Sequence, residues 1–288
     1  MSFLRVVILA VVQGLTELLP VSSSAHVIVA EKLMGMNPST PEMTLLLVML
    51  HTGTMFSVVV YFRQRWRRAF FQNAQDFKRF VLTLILATAL TGTVGGMLIE
   101  AIEKLYFRGA PNAWIEQLFN RLDLIVPALA AVGVLILAAA FLDRRSPPRQ
   151  MAASPMTMKQ AGLIGVVQGL CLPFRGFSRS GATISTGMLT RVPRAHAEDF
   201  SFALAVVLTP PAIAREAWRL IRVQHIHGSA NMISVVTLSV LGAIFAFLAG
   251  LLALKWLSSW LDGERWYLFG IYCLVAAGVL AALHHIGY

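Results

Sequence analysis

Gln13-Gly-Leu-Thr-Glu17-Leu-Leu-Pro20-Val-Ser22-Ser23-Ser-Ala-His26 breaks an otherwise apolar stretch near the start of the chain. A membrane helix does not take a carboxylate, a proline, three serines and an imidazole in succession without reason. A charge in hydrocarbon costs at least about 2.5 kcal/mol on insertion scales, and it marks function or a paired partner. A second break reads Pro173-Phe-Arg175-Gly176-Phe-Ser178-Arg179-Ser180-Gly181-Ala-Thr183. Irregular backbone at membrane depth is tolerated only where it is buried in protein or lines a wet cavity. The regions around these breaks, 1–34 and 160–190, therefore read as re-entrant helical hairpins and not as spans.

Composition sets the compartment. Of 288 residues, 57% are hydrophobic and 13% charged, and the mean hydropathy is +0.70. A soluble domain carries about 25% charged residues, so a water-soluble enzyme and a disordered chain are both excluded. The net charge of +10 does not indicate nucleic acid. In so apolar a chain it reads as loop charge facing anionic membrane lipids. Cys171 and Cys273 both lie in apolar runs, which argues against a disulfide framework. Arg5 followed by Val6–Val12 imitates a signal peptide, but Gln13, Glu17 and the serines follow at once, with no small-residue cleavage site closing the run.

About 20 apolar residues are needed to cross the hydrocarbon. Runs at 43–62, 80–99, 124–142, 223–254 and 266–288 meet that length, and 200–214 meets it if flanking charges snorkel. The expectation is an all-α polytopic membrane protein with six transmembrane helices and two re-entrant hairpins. Basic segments 63–79 and 143–159 are placed in the cytoplasm by the positive-inside rule. Both termini then fall outside, and connections 191–196 and 255–265 add basic residues inside, while Arg215, Arg219 and Arg222 oppose this topology.

Self-comparison finds a repeat. Val11-Val12-Gln13-Gly14-Leu15 recurs as Val166-Val167-Gln168-Gly169-Leu170, 155 residues later, and at that offset Ser23 falls on Ser178. The expected organisation is a single integral membrane domain, with repeat one at about 1–143, a linker at about 144–158 and repeat two at about 159–288. Three crossings per half is an odd number, so the halves are inverted and the hairpin tips meet near the midplane.

The chemistry divides between the breaks. Gln13 and Glu17 are four residues apart and share a helical face. With Ser22, Ser23, Ser24 and His26 they form an acid, base and nucleophile set. The plainer alternatives are an ion pair between Glu17 and an arginine, capping serines and an interfacial histidine. In the second break, Arg175, Ser178, Arg179, Ser180 and Thr183 among glycines suggest an oxyanion cradle, because guanidinium forks match phosphate bidentately and a helix beginning near Ser180 adds its positive end. For Arg175 snorkelling to the surface is as good a reading. His51 either lines the same cavity or is a hydrogen-bonded core histidine, and His196, His225, His227, His284 and His285 sit near segment ends. Acid–base groups and an anion cradle in a membrane protein point to chemistry on a phosphorylated lipid.

These two motifs, with Glu198-Asp-Phe-Ser-Phe after the second, resemble the bacitracin-resistance type of undecaprenyl-diphosphate phosphatase over nearly the whole chain. The resemblance implies removal of the terminal phosphate from undecaprenyl diphosphate, the polyprenyl carrier lipid of peptidoglycan synthesis. It places a multi-pass enzyme in the bacterial inner membrane with its active site opening to the periplasm, and it implies a divalent cation, Mg²⁺ or Ca²⁺. It assigns catalysis to Glu17, Ser23, His26 and Arg179, and an acidic metal-binding motif to Gln13 and Glu17. Gln13, Ser22, Arg175, Ser178, Ser180 and Thr183 become substrate-binding residues. The chain departs from the family pattern in two places: Gln13 stands where many members have a carboxylate, and Arg175 where they have proline. The nucleophile is Ser23 or a water, and a carrier of the same lipid is the rival reading.

Overall fold

The computed structural model describes residues 2–37, 40–106, 118, 121–144, 156–224 and 232–285. Among the described residues ten helices follow in order: α1 Phe3–Leu18, α2 Ser23–Leu33, α3 Pro41–Phe70, α4 Ala74–Tyr106, α5 Leu122–Arg144, α6 Met158–Cys171, α7 Arg179–Leu189, α8 Arg194–Gln224, α9 Met232–Asp262 and α10 Trp266–His285. Among the described residues every long regular element is helical.

Six of these helices, α3, α4, α5, α8, α9 and α10, are long and apolar enough to cross a membrane. They coincide with the six runs read from the sequence, with one shift. The apolar run at 223–254 bridges two elements: α8 extends to Gln224 and α9 begins at Met232. A run counted only by its lack of charge passes over the polar residues that follow Gln224 in the sequence, and α8 carries Arg215 within its helical length. Exposed Ile85, Met97, Val134, Ile233, Leu252 and Val275 cover the outer faces with apolar surface, as contact with lipid tails requires. The expected linker at 144–158 lies mostly outside the described residues, as do His225, His227 and the last three residues.

The two breaks are where the sequence places them. The 16 residues of α1 span about 24 Å and the 11 of α2 about 17 Å at 1.5 Å per residue, each short of a hydrocarbon core of about 30 Å. α6 and α7, of 14 and 11 residues, are equally short. Between α1 and α2 the chain turns through Pro20, and Ser22 adopts a left-handed φ of 66°. That conformation costs a residue with a Cβ of the order of 1–3 kcal/mol and persists only where its surroundings enforce it. Between α6 and α7, Gly176 takes φ 108°, and a Cβ there would lie 2.5 Å from the Ile125 carbonyl oxygen. Only glycine fits.

The chain forms two compact units. One comprises Met1–Leu19, Ser23–Arg63 and Ala205–Leu257. Its apolar core joins Val6, Leu9 and Ala10 of α1, Val27 of α2, Met43, Leu46 and Leu50 of α3, and Ala246 of α9. Small residues bring the backbones together: a Cβ on Gly14 would lie 2.7 Å from the Ala246 carbonyl oxygen, and Ser57 Oγ donates to the Phe247 carbonyl at 2.7 Å.

The other unit comprises Pro20–Ser22, Gln64–Leu204 and Ser258–Tyr288. Here α6 packs on α4, where a Cβ on Gly169 would lie 3.0 Å from the Thr91 carbonyl oxygen and Thr91 Oγ1 donates to the Gly165 carbonyl at 3.0 Å. α5 and α10 meet reciprocally, since a Cβ on Gly133 would sit 3.1 Å from the Gly270 carbonyl oxygen and one on Gly270 2.9 Å from that of Gly133.

Candidate functional site

In the first unit, α1 presents Gln13 and Glu17 one turn apart, and α2 begins with Ser23. The Ser23 hydroxyl donates to Glu17 Oε2 at 2.6 Å, and Gln13 Nε2 donates to the same oxygen at 3.2 Å. Two of the three residues therefore aim hydrogen-bond donors at one carboxylate oxygen. Gln13 is buried, and the Glu17 side chain is 18% exposed. His26 lies three residues beyond Ser23, on the same face of α2, partly buried.

His51 belongs to this group, although the sequence left it undecided. From α3 its Nε2 stands 3.8 Å from Glu17 Oε2, and its Nδ1 lies 2.8 Å from the Leu47 carbonyl oxygen. One ring nitrogen is bonded to the helix backbone and the other stands near the carboxylate, with the side chain 42% exposed. A histidine inside an apolar span was the available signal.

In the second unit, α7 starts at Arg179. Ser178 caps it, its Oγ accepting from the Gly181 N–H at 3.3 Å. Its Oγ also lies 3.4 Å from Ser180 Oγ. Thr183 Oγ1 donates to the Arg179 carbonyl at 2.8 Å and lies 2.6 Å from Ser201 Oγ on α8. Thr183 is thus tied into the support of the α7 terminus. Ser178, Ser180 and Thr183 are buried, Arg179 is partly buried, and Arg175 is exposed in the turn between α6 and α7. A helix N-terminus carrying a guanidinium and two hydroxyls has the chemistry that an anion-binding site uses. Pro20 of the first break belongs to this unit: a Cβ on Gly181 would lie 3.3 Å from Pro20 Cβ, and Cys273 Sγ lies 3.3 Å from the Pro20 carbonyl oxygen. Ser22 is buried in the same short segment.

The Glu198-Asp-Phe-Ser-Phe motif builds a third cluster in the second unit. Arg65 Nη1 donates to Glu198 Oε2 at 2.9 Å, Arg65 Nε is 3.1 Å from Asp199 Oδ1, and Ser258 Oγ donates to Glu198 Oε1 at 2.6 Å. Both carboxylates are buried. This cluster ties the end of α3 to the start of α8 and to α9.

Among the described residues no three His, Cys, Asp or Glu side chains gather as a metal set. Glu17 and the Ser23 hydroxyl are hard oxygen donors of the kind Mg²⁺ and Ca²⁺ accept, whereas the Gln13 amide faces the carboxylate with its nitrogen and would have to turn to offer its oxygen.

The sequence model of the family described as bacitracin resistance protein BacA matches residues 6–279. A protein of Acinetobacter baylyi (strain ATCC 33305 / BD413 / ADP1), named undecaprenyl-diphosphatase 2, is 54% identical over 286 residues, covering 98% of each chain. Another protein of that name, from Burkholderia orbicola (strain AU 1054), is 32% identical over 287 residues, covering 96% of this chain and 95% of its own.

Proposed function

The chain belongs to the bacitracin resistance protein BacA family, and on that premise we propose that it hydrolyses undecaprenyl diphosphate to undecaprenyl phosphate and inorganic phosphate. This reaction recycles the carrier lipid for peptidoglycan synthesis and gives bacitracin resistance. The observation that carries the chemistry is the 2.6 Å hydrogen bond from Ser23 Oγ to Glu17 Oε2. A hydroxyl held against a carboxylate is a nucleophile with its proton acceptor in place.

In the proposed reaction, Ser23 Oγ attacks the terminal phosphorus as its proton passes to Glu17. The bond between that phosphorus and the bridging oxygen breaks, and undecaprenyl phosphate leaves as an anion. Water then hydrolyses the phosphoserine and releases phosphate. His26, on the face of α2 that carries Ser23, takes part in the same proton chemistry. Arg179, Ser178, Ser180 and the first N–H groups of α7 are assigned to the charge on the equatorial oxygens. Ser22 and Gln13 line the substrate, and exposed Arg175 reaches its outer phosphate oxygens. In the alternative role, Glu17 would hold a divalent cation together with Gln13, turned to present its amide oxygen, and bound there the cation would neutralise phosphate charge.

We read the two halves of the chain as an inverted repeat, and the helix lengths and packing support that reading. The helix lengths run 16, 11, 30, 33 and 23 residues, then 14, 11, 31, 31 and 20. The first helix of each half packs through the glycine of its Val-Val-Gln-Gly-Leu motif on the fourth helix of the other half, α1 on α9 and α6 on α4. The fifth helices pack on each other at Gly133 and Gly270, as a two-fold relation between halves requires. On this reading α1–α2 and α6–α7 are re-entrant hairpins entering from opposite sides. The protein sits in the inner membrane with its active site open to the periplasm, where the lipid diphosphate is delivered.

The test is inorganic phosphate release from undecaprenyl diphosphate by the purified protein in detergent, with and without EDTA. Release by the wild type supports the reading. A pure lipid carrier releases none.

A further inference from the structure

We propose that Gln168 is a phosphate-binding residue, donating its side-chain amide to an oxygen of the phosphoryl group held at the start of α7. This rests on the phosphatase reading given above, which assigns Arg179, Ser178 and Ser180 to that group. Gln168, the centre of the second Val-Val-Gln-Gly-Leu motif, has no part in it so far. The residue is 1% exposed, and its Oε1 is sealed from solvent with no hydrogen-bond partner among the described residues. Among those residues no hydrogen bond joins its Nε2 to a partner either. Buried polar groups are rarely left this way, because an unmade bond does not repay the lost hydration. A ligand that accepts from the amide accounts for it.

Position narrows the ligand. Ala161, Ile164 and Gln168 recur at helical spacing and are all buried, so they form one face of α6. That face meets α7, which runs back along α6 after the turn. Gln160 Nε2 donates to the Thr190 carbonyl at 2.9 Å, and Ile164 Cδ1 lies 3.7 Å from where a Cβ on Gly187 would stand. Four residues further along α6, the same register brings Gln168 level with Thr183, whose Oγ1 bonds the Arg179 carbonyl one turn away at 2.8 Å. Cys171, one turn beyond Gln168, feels the Arg179 charge. The amide therefore lies beside the first turn of α7, which carries that guanidinium and the hydroxyls of Ser178 and Ser180.

The first motif shows what this glutamine does when its partner is present. Gln13 Nε2 donates to Glu17 Oε2, and the Ser23 hydroxyl donates to the same oxygen. At the 155-residue offset Gln13 falls on Gln168 and Ser23 on Ser178, but Glu17 falls on Leu172, which is exposed. The second half keeps both donors and has no carboxylate oxygen for them. A phosphate oxygen is an anionic acceptor of the same kind, and Arg179 adds the cation that its greater charge requires.

The experiment compares wild type with Gln168→Met, which keeps the length and helix preference of the side chain and removes its amide. Purified full-length protein in detergent is measured for kcat and KM with undecaprenyl diphosphate, for product inhibition by inorganic phosphate, and for thermal unfolding without substrate. The expected result is a rise of about tenfold or more in both KM and the phosphate inhibition constant, with kcat within about threefold of wild type. The melting temperature should equal or exceed that of wild type, because an apolar group of the same shape replaces one whose bonds are unmade. Wild-type values of KM and of the phosphate inhibition constant in Gln168→Met overturn the proposal. So does a lowered melting temperature, because it marks an amide that holds the fold together. A wild-type protein that releases no phosphate refutes the phosphatase reading, and the proposal with it. Wild-type release with an unaltered Gln168→Met enzyme refutes the proposal alone.

Discussion

Replacing Glu17 by glutamine changes one oxygen to an amide nitrogen and leaves volume and helix propensity almost untouched. The ground-state cost can be worked from the two hydrogen bonds that Oε2 accepts, at 2.6 Å from Ser23 and 3.2 Å from Gln13. A bond to a charged acceptor contributes about 1.5–3 kcal/mol and one to a neutral acceptor about 0.5–1.5 kcal/mol, so the change forfeits about 1 kcal/mol per bond. Against that, a charged side chain is removed from a membrane protein interior, which returns about 2.5 kcal/mol on insertion scales. Folding stability should therefore change by about 1 kcal/mol or less, with either sign. Catalysis should respond on a different scale. Loss of a positioned proton acceptor costs about 10²–10⁴ in rate, or about 2.7–5.5 kcal/mol of barrier. The assay is initial-rate phosphate release beside thermal unfolding in the same detergent. Glu17→Gln should lose at least about a hundredfold in kcat while its melting temperature stays near that of the wild type. Because Glu17 acts on the Ser23 proton, adding Ser23→Ala to Glu17→Gln should cost little beyond the worse single change. A Glu17→Gln enzyme within about tenfold of wild type would refute the reasoning, as would two losses that simply multiply.

Arg179→Lys should keep the charge at the start of α7 yet lose most activity, since a planar fork is replaced by a point charge; near-normal turnover would return Arg179 to a structural role. Arg65→Leu should destabilise the protein by about 3–5 kcal/mol, because buried Glu198 and Asp199 lose their shared cation, and a melting temperature equal to wild type would contradict that. Gln13→Glu places a second carboxylate on the face of Glu17 and should lower the Mg²⁺ concentration for half-maximal activity, while like-charge repulsion weakens the metal-free protein; an unchanged metal titration would remove position 13 from the cation's ligands.

Hydropathy and charge made the six crossing helices legible because each is a nearly pure apolar run, and hydrocarbon admits little else. The breaks were legible for the opposite reason: Glu17, Pro20 and Arg179 are too costly in lipid to be incidental. The pairing of Gln13 with Glu17 followed from helical spacing alone. What the sequence did not carry was contact across long chain separations. His51 is 34 residues from Glu17 and shares no motif with it, and its place depends on how closely the glycines let α3 and α1 approach α9. The Arg65 cluster needed the same information, since Glu198 and Asp199 lie more than a hundred residues from their arginine. The boundary at Gln224 was missed because the run was judged by its lack of charge alone, which passes over the turn signals Gly228, Ser229 and Asn231 in the sequence.

In the proposed reaction the bond broken is the one between the bridging oxygen and the terminal phosphorus, with Glu17 and Ser23 at that step. Hydrolysis in H₂¹⁸O, followed by mass spectrometry of both products, tests this directly. With the wild-type protein the ¹⁸O should enter the inorganic phosphate and be absent from the undecaprenyl phosphate, and Glu17→Gln should form both products at least about a hundredfold more slowly. Water oxygen found in the undecaprenyl phosphate, or release of pyrophosphate, would contradict this.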